Sequence, residues 1–277
     1  MILNIILILI TPFVGLLLLG LDRKMSARMQ NRKGPPVLQP LYDLIKLFSK
    51  KAGYVNESTV VFAYAHLAFM IATVVLFFLL QDLIVIFFTI TLSIVFLILG
   101  AFSTTSPYSY LGAHRELIQL LAVETLFLLI IMTIGVSESS FSLETILAGR
   151  TIPMFFHLPL SLAAMFLVVI VKMGKPPFDI PGAHSEIVQG PYVEYSGRWY
   201  ALFQISKMFE IPFFLAFFVL FFLPFLLVGL LVAALLFMFA VLIGNTTART
   251  TYRGMLKFVY LYGLPLVVVN LVGVMMI

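Results

Sequence analysis

Long apolar runs recur along the whole chain and limit the folds open to it. A helix needs about 20 apolar residues to cross a hydrocarbon core of ~30 Å, and these runs have that length. Charged residues make up 10% of the chain, whereas soluble domains carry roughly 25%. Unbroken runs exclude the alternating pattern of a membrane β-barrel, so the sequence predicts an all-α integral membrane protein.

The apolar runs divide into eight candidate transmembrane helices in a single transmembrane domain over 1–277. Pro224 divides the apolar stretch 205–244 into two of them. The first run has no basic segment before it and no cleavage site after it, so we interpret it as a spanning helix rather than a signal peptide. The predicted spans are 2–21, 58–80, 82–101, 116–136, 155–172, 205–222, 225–244 and 256–276.

The basic residues fall on alternate loops. All Lys and Arg except Arg150 lie in the loops 22–57, 102–115, 172–207 and 245–257. The positive-inside rule places these loops in the cytoplasm. We therefore predict a multi-pass protein of the cell membrane with both termini outside.

A surface helix is predicted in the first long loop. Leu38, Leu41, Ile45 and Phe48 recur at helical spacing, with charged residues on the other side. This pattern predicts a short amphipathic helix that lies on the membrane surface.

The sequence lacks the usual signatures of a catalytic centre. It has no cysteine, which excludes thiolate ligation of iron–sulfur clusters by this chain. His66, His114, His157 and His184 are far apart, and each is expected to be a hydrogen-bonded polar group rather than a metal ligand. We therefore expect no cofactor, metal or nucleic acid to bind this chain.

Carboxylates within apolar sequence are the strongest functional signal. Glu124 lies in the apolar run 116–136, where an ionisable group is costly and usually faces the bundle interior or a water-filled path. Glu116 precedes it by about 12 Å of helix, loosely on the same face. Lys207 and Glu210 form either an interfacial ion pair or a second functional charge pair.

The loop 172–207 combines acids, aromatics and prolines. Asp179, Glu186 and Glu194 lie among Phe178, Tyr195 and turn-forming prolines. A solvated linker lacks such aromatic content, so we expect an ordered surface that packs against something.

Four segments carry a resemblance to a known family. They are Arg-Met-Gln-Asn-Arg-Lys-Gly-Pro at 28–35 with Leu-Gln-Pro at 38–40; Gly-Ala-His-Arg-Glu at 112–116 leading to Glu124; Pro-Phe-Asp at 177–179 through Glu-Tyr-Ser-Gly at 194–197; and Asn-Thr-Thr-Ala-Arg at 245–249. With these segments the chain resembles the complex I subunit 1 family, which joins the hydrophilic arm to the membrane arm.

Within that family the chain looks like the energy-converting membrane-bound [NiFe] hydrogenases and their relatives. Met-Gly-Lys precedes Pro-Phe-Asp, as in that branch. Quinone-reducing members have a more acidic run here, whereas this chain has Gly182 and His184 and keeps Glu186. It also has Lys172 where relatives often have an acid.

The resemblance implies a non-catalytic subunit of an oxidoreductase complex, driven by ferredoxin and exporting protons or sodium. Iron–sulfur and catalytic large subunits, with [4Fe-4S] clusters and a [NiFe] centre, are the implied partners on the cytoplasmic side, and antiporter-like subunits are implied in the bilayer. Implied coupling residues are Glu116, Glu124, Asp179, His184, Glu186, Glu194, Lys207 and Glu210. Implied docking residues are Arg28, Arg32, Lys33, Gly34, Pro35, Gln39, Arg115, Pro177, Phe178 and Tyr195.

Three other functions remain open from the sequence. The same role in an archaeal sulfane sulfur reductase is the nearest alternative, and a quinone-reducing complex I is another. A stand-alone transporter is the third, although the chain lacks the internal repeat that many transporters show.

Overall fold

The computed structural model describes residues 2–51, 53, 56–148 and 150–276, and these ranges are predominantly helical. The helices are α1 Ile2–Met29, α2 Gln39–Ser49, α3 Glu57–Phe78, α4 Leu83–Phe102, α5 Pro107–Glu138, α6 Leu143–Leu147, α7 Met154–His157, α8 Pro159–Lys172, α9 His184–Ile187, α10 Arg198–Leu220, α11 Leu226–Thr246, α12 Tyr252–Phe258 and α13 Leu264–Met275. A 3-10 turn spans Gly190–Tyr192, and the π turn Val259–Gly263 joins α12 to α13. The predicted all-α membrane fold is confirmed.

Seven helical stretches within the described ranges are long and apolar enough to cross a membrane. The eighth predicted span, 155–172, is not one continuous helix. It consists of the single turn α7 and the 14-residue α8, which rises only about 21 Å. The break lies at Leu158, because Pro159 disfavours the helical conformation of the residue before it.

Several predicted boundaries were too short. α5 begins at Pro107 rather than 116, so Arg115 lies on a helix and not in a loop. α1 continues to Met29, and α10 begins at Arg198. In all three the helix continues past the apolar run into polar sequence. The predicted division at Pro224 is confirmed, since α10 ends before it and α11 begins after it.

Polar contacts gather the four basic loops at one end of the bundle, here called the basic face. Lys175 pairs with Asp22 at the end of α1, and Arg249 bonds to Asp179. The Gly53 amide donates to the Ser196 hydroxyl at 2.9 Å. The predicted placement of these loops on one side is therefore confirmed, while their assignment to the cytoplasm stays a prediction.

The other end of the bundle, here called the opposite face, carries the turns after α3, α5 and α10. The Leu143 amide donates to the carbonyl of Gln81 at 3.4 Å, and the Phe155 amide donates to the carbonyl of Phe221 at 3.0 Å. α8 thus begins near the opposite face and ends at the basic face. The chain passes eight times between the two faces, as predicted.

The core lies where α10 packs against α3 and α5. Five phenylalanines from these helices form a fully or nearly fully buried cluster with mostly edge-to-face contacts. They are Phe77, Phe127, Phe213, Phe214 and Phe217. α10 also packs against α1, α8 and α11. This central helix brings its polar residues next to those of α5 and α8.

The predicted surface helix is present as α2. Leu41, Ile45 and Phe48 are exposed in the isolated chain, and Tyr42 extends the same apolar surface. Arg23 of α1 donates to Asp43 at 2.5 Å and holds α2 against α1. α2 therefore presents an apolar face that the described part of the chain does not cover.

Close packing of α1 on α10 depends on a glycine, which gives a first testable prediction. A methyl group at Gly15 would overlap the Met208 carbonyl. We expect Gly15→Ala to push the helices apart at a cost of about 1–3 kcal/mol, seen as a lower thermal midpoint of the detergent-purified protein. Gly273→Ala is the matched control, because nothing described lies within 4 Å of the added methyl group. Equal midpoints for the two variants would contradict the packing argument.

Candidate functional site

The centre of the candidate site is an ion pair inside the bundle. The Lys172 ammonium, at the end of α8, lies 2.5 Å from a carboxylate oxygen of Glu124 on α5. Glu124 is only 4% exposed. Its second oxygen lies 3.5 Å from the Thr91 hydroxyl of α4, and the ammonium also lies 5.3 Å from the ring centre of Phe214. Such a pair is stable because each charge is the other's main counterion.

Two further carboxylates share this region. Glu116 on α5 and Glu210 on α10 are half-buried, and both interact electrostatically with Lys172. The structure therefore brings Glu116, Glu124 and Glu210 together around Lys172. We call these four residues the acid cluster.

Lys207 does not form the ion pair with Glu210 that the sequence left open. No nitrogen–oxygen contact within 4.0 Å joins these two described residues. The Lys207 ammonium lies 5.9 Å from the ring centre of Tyr192, because the turn at 190–192 covers this part of α10. Lys172 also differs from its predicted place near the loop carboxylates, since it points into the bundle.

A cavity of about 250 Å³ extends from the basic face toward the acid cluster. Asp179 and His184 line its loop side, and Lys207 lines its bundle side. Its aromatic walls include Tyr192 and Phe203. Burial raises the pKa of Asp179, although the nearby Arg249 acts in the opposite direction. A raised pKa suits a carboxyl group that exchanges a proton.

Arg249, between α11 and α12, holds the loop that lines this cavity. Its guanidinium donates to Asp179 at 3.0 Å and to the Ser185 hydroxyl at 3.1 Å, and it lies 3.5 Å from Glu186. Arg115 donates to Glu186 at 2.7 Å and lowers the pKa of that carboxyl group. Glu186 is therefore an ionised tether between two arginines at neutral pH.

Lys175 provides another tether between the loop and α1. Its ammonium pairs with Asp22, and Thr250 donates its backbone amide and hydroxyl to the carbonyl of Pro177 at 3.0 and 2.8 Å. Burial lowers the pKa of Lys175 to about 8, so this group is still mostly charged at neutral pH. α1, α5 and the segment after α11 all hold the same loop.

Glu194 is the predicted coupling residue that the structure leaves apart. Its side chain is exposed on the basic face, and it does not line the cavity. Its predicted role in coupling stays a prediction.

The predicted docking residues separate into an exposed and an internal group. Arg28, Arg32 and Lys33 are exposed, with Gly34 and Pro35 half-buried beside them. The others make contacts inside the chain: Gln39 donates to Asp43, Arg115 to Glu186 and Ile180, and Tyr195 to the Thr59 carbonyl, Pro177 accepts from Thr250, and Phe178 packs on Phe258. Their roles toward partners stay predictions.

Sequence reasoning missed Asp22, Thr91 and Lys175 as site residues and gave Arg249 only as part of a motif. Asp22 had one visible signal, since it follows directly after an apolar run. The contacts of Thr91 and Arg249 have no local signal, because they join residues 33 to 70 positions apart.

The match to known proteins covers almost the entire chain. The family model described as NADH dehydrogenase matches residues 2–275. The chain belongs to this family. Residues that form the acid cluster and the loop tethers all lie within the matched range.

Members of this family with similar sequences come from several kinds of complex. Hydrogenase-4 component C of Escherichia coli is 30% identical over 72% of this chain and 66% of its own length, slightly under two thirds. A polypeptide of the NADH-quinone oxidoreductase of Dehalococcoides mccartyi is 27% identical over 93% of this chain and 80% of its own length. The solved membrane-bound sulfane sulfur reductase, an archaeal respiratory membrane complex, contains a similar chain with a TM-score of 0.87, 26% identity and 98% coverage of both chains. Family members are thus membrane subunits of complexes related to complex I.

The arginine that tethers the loop gives a second prediction. Arg249→Lys replaces a planar fork with a single ammonium that cannot reach Asp179, Ser185 and Glu186 together. We expect hydrogen–deuterium exchange of residues 176–190 to become about tenfold faster. Arg253→Lys is the control, because Arg253 is exposed and lies against its neighbour Tyr252. Unchanged exchange in Arg249→Lys would mean that the other tethers hold the loop alone.

Proposed function

We propose that this chain is the non-catalytic subunit that couples electron transfer to ion translocation in a membrane-bound hydrogenase-type complex. In the proposal, reduced ferredoxin is the electron donor, hydrogen is produced in partner subunits, and protons or sodium ions are exported. One observation carries it: a buried lysine–glutamate pair lies among further carboxylates, next to a cavity that opens at the basic face.

The acid cluster is suited to store and release a proton. Its three carboxylates face the ammonium groups of Lys172 and Lys207, so these five groups, when all are ionised, carry one excess negative charge. In a medium of low dielectric constant that excess favours uptake of one proton, shared among the carboxylates. A change of charge at the cavity alters which group holds this proton.

The loop is the input of the proposed mechanism. Asp179 and His184 lie at the cavity on the side that faces the basic surface, and Lys207 lies between them and the acid cluster. A redox change in a subunit docked at the basic face acts first on these groups. The resulting proton shift then reaches the three carboxylates of the acid cluster and, through them, antiporter-like subunits in the bilayer.

The exposed strip after α1 is the proposed docking surface. Arg28, Arg32 and Lys33 lie beyond the end of the apolar part of α1, with no acid adjacent in sequence. Iron–sulfur and catalytic large subunits, carrying [4Fe-4S] clusters and a [NiFe] centre, are the proposed partners here. The positive-inside rule places this surface in the cytoplasm and both termini outside.

Glu124 gives the third prediction. Glu124→Gln keeps the shape of the side chain but removes its charge and its capacity to carry a proton. We expect ion export per electron, measured in proteoliposomes of the purified complex, to fall at least about tenfold while the complex still assembles. Glu144→Gln, an exposed acid near the opposite face, is the control.

A double variant separates coupling from stability in the same experiment. Glu124→Gln with Lys172→Met removes both members of the buried pair, which is often neutral for stability. We expect the double variant to regain thermal stability relative to Glu124→Gln but not ion export. Normal export in either variant would show that the pair is purely structural.

A quinone-reducing complex is the second candidate function, because the cavity near Asp179 has aromatic walls next to polar groups. A sulfane sulfur reductase is the third, because the solved chain of that complex covers 98% of this one. Rates of the purified complex with protons, polysulfide or quinone as the acceptor decide among them. Electron flow to quinone or polysulfide alone would overturn the hydrogenase version.

Docking gives the fourth prediction. Arg28→Lys with Arg32→Lys keeps the positive charge, so membrane topology persists. Bidentate contacts to partner carboxylates are lost, and we expect less of the hydrophilic arm to copurify, by about fivefold or more. Arg253→Lys again serves as a control on the basic face. Full copurification of the arm with the double variant would reduce these arginines to topology signals.

A further inference from the structure

A second cavity lies at the opposite face, far from the acid cluster. It has a volume of about 830 Å³ and is formed by the end of α5, by α6 and by the segment leading into α7. We call it the Arg150 cavity after its most buried charged residue. None of the coupling or docking residues lines it.

Arg150 is held in place but keeps unused donors. Its side chain is 8% exposed, one terminal nitrogen pairs with Glu138, and Nε donates to the Ile146 carbonyl at 3.3 Å. The other terminal nitrogen, Nη1, is buried and has no hydrogen-bond partner within the described part of the chain. An unpaired charged donor in a buried position is costly, so an oxygen acceptor at this point would be strongly favoured.

The walls of the cavity combine polar and apolar groups. Glu138 and His157 stand beside Arg150, and Glu138 keeps about a fifth of its side chain exposed. Ile152 and Phe156 are exposed apolar residues of the same cavity, with Phe156 65% exposed. α5 ends here at Glu138, so the cavity lies at the level where a transmembrane helix leaves the hydrocarbon.

We propose that the Arg150 cavity binds the headgroup of a zwitterionic phospholipid, such as phosphatidylethanolamine. The phosphate accepts from Nη1 of Arg150, and the ammonium of the headgroup pairs with Glu138. The acyl chains leave the cavity over Phe156 and Ile152 into the bilayer. Charged phosphate and planar guanidinium match in geometry, and the apolar wall matches the chains.

Charge balance selects this class of lipid over an anionic one. The Arg150–Glu138 pair is neutral overall, and Glu144 and Asp82 are exposed acids of the same face. An anionic headgroup would place a net negative charge beside these acids. A zwitterionic headgroup brings both charges and gives each a partner.

The test uses the intact complex, purified from membranes that contain both phosphatidylethanolamine and phosphatidylglycerol. Native mass spectrometry counts the lipids that stay bound. We expect Arg150→Gln to weaken retention of one phosphatidylethanolamine about tenfold, and Phe156→Ala to weaken it several-fold through lost contact with the acyl chains. Phe88→Ala is the matched control, because Phe88 is a similarly exposed phenylalanine on α4.

Two further variants keep the test decisive if Arg150→Gln does not fold. Glu138→Gln should abolish the preference for phosphatidylethanolamine over phosphatidylglycerol, and a photo-crosslinking residue at position 156 should couple to lipid. Equal retention of both lipids by the unmodified complex would overturn the proposal. So would crosslinks at position 156 to a neighbouring polypeptide, or an unchanged lipid count in Phe156→Ala.

Discussion

A buried ammonium group in a lipid-embedded bundle has to find its counterion within the protein. Lys172 finds it in Glu124, and this pair determines how α5 and α8 are placed against each other. Water is absent from the hydrocarbon layer, so breaking the pair leaves a charge that nothing nearby can solvate. α10 completes the arrangement with Glu210 and with the phenylalanines that exclude water. The acid cluster and the aromatic core are thus two aspects of one packing arrangement.

The loop after α8 is as firmly held as the helices. Asp22, Arg115 and Arg249 reach it from three different parts of the chain. A loop fixed in this way transmits a displacement or a change of charge instead of absorbing it. The shape of the cavity therefore depends on ion pairs at the basic face, and those pairs are where a docked subunit has the greatest influence on the bundle.

Hydrophobic runs and charge placement were sufficient to predict the helical class, the eight passes, the break at Pro224 and the surface helix α2. They failed where polar sequence continues a helix, as at Arg115 and Arg198, and at Pro159, whose signal was visible but was not used. The acid cluster was predicted in its residues but not in its pairing. Glu124 and Lys172 are 48 positions apart, and periodicity within one helix contains no information about which helix lies opposite.

The shortness of α8 has an electrical consequence. Its 14 residues rise about 21 Å, compared with ~30 Å for the hydrocarbon layer. A membrane voltage that falls over this shorter distance produces a steeper gradient along α8 than along its neighbours. One helical turn then corresponds to about a quarter of the whole voltage, or roughly 0.6 kcal/mol per unit charge at 100 mV. A proton that leaves the vicinity of Lys172 along this helix performs more electrical work per ångström than anywhere else in the bundle.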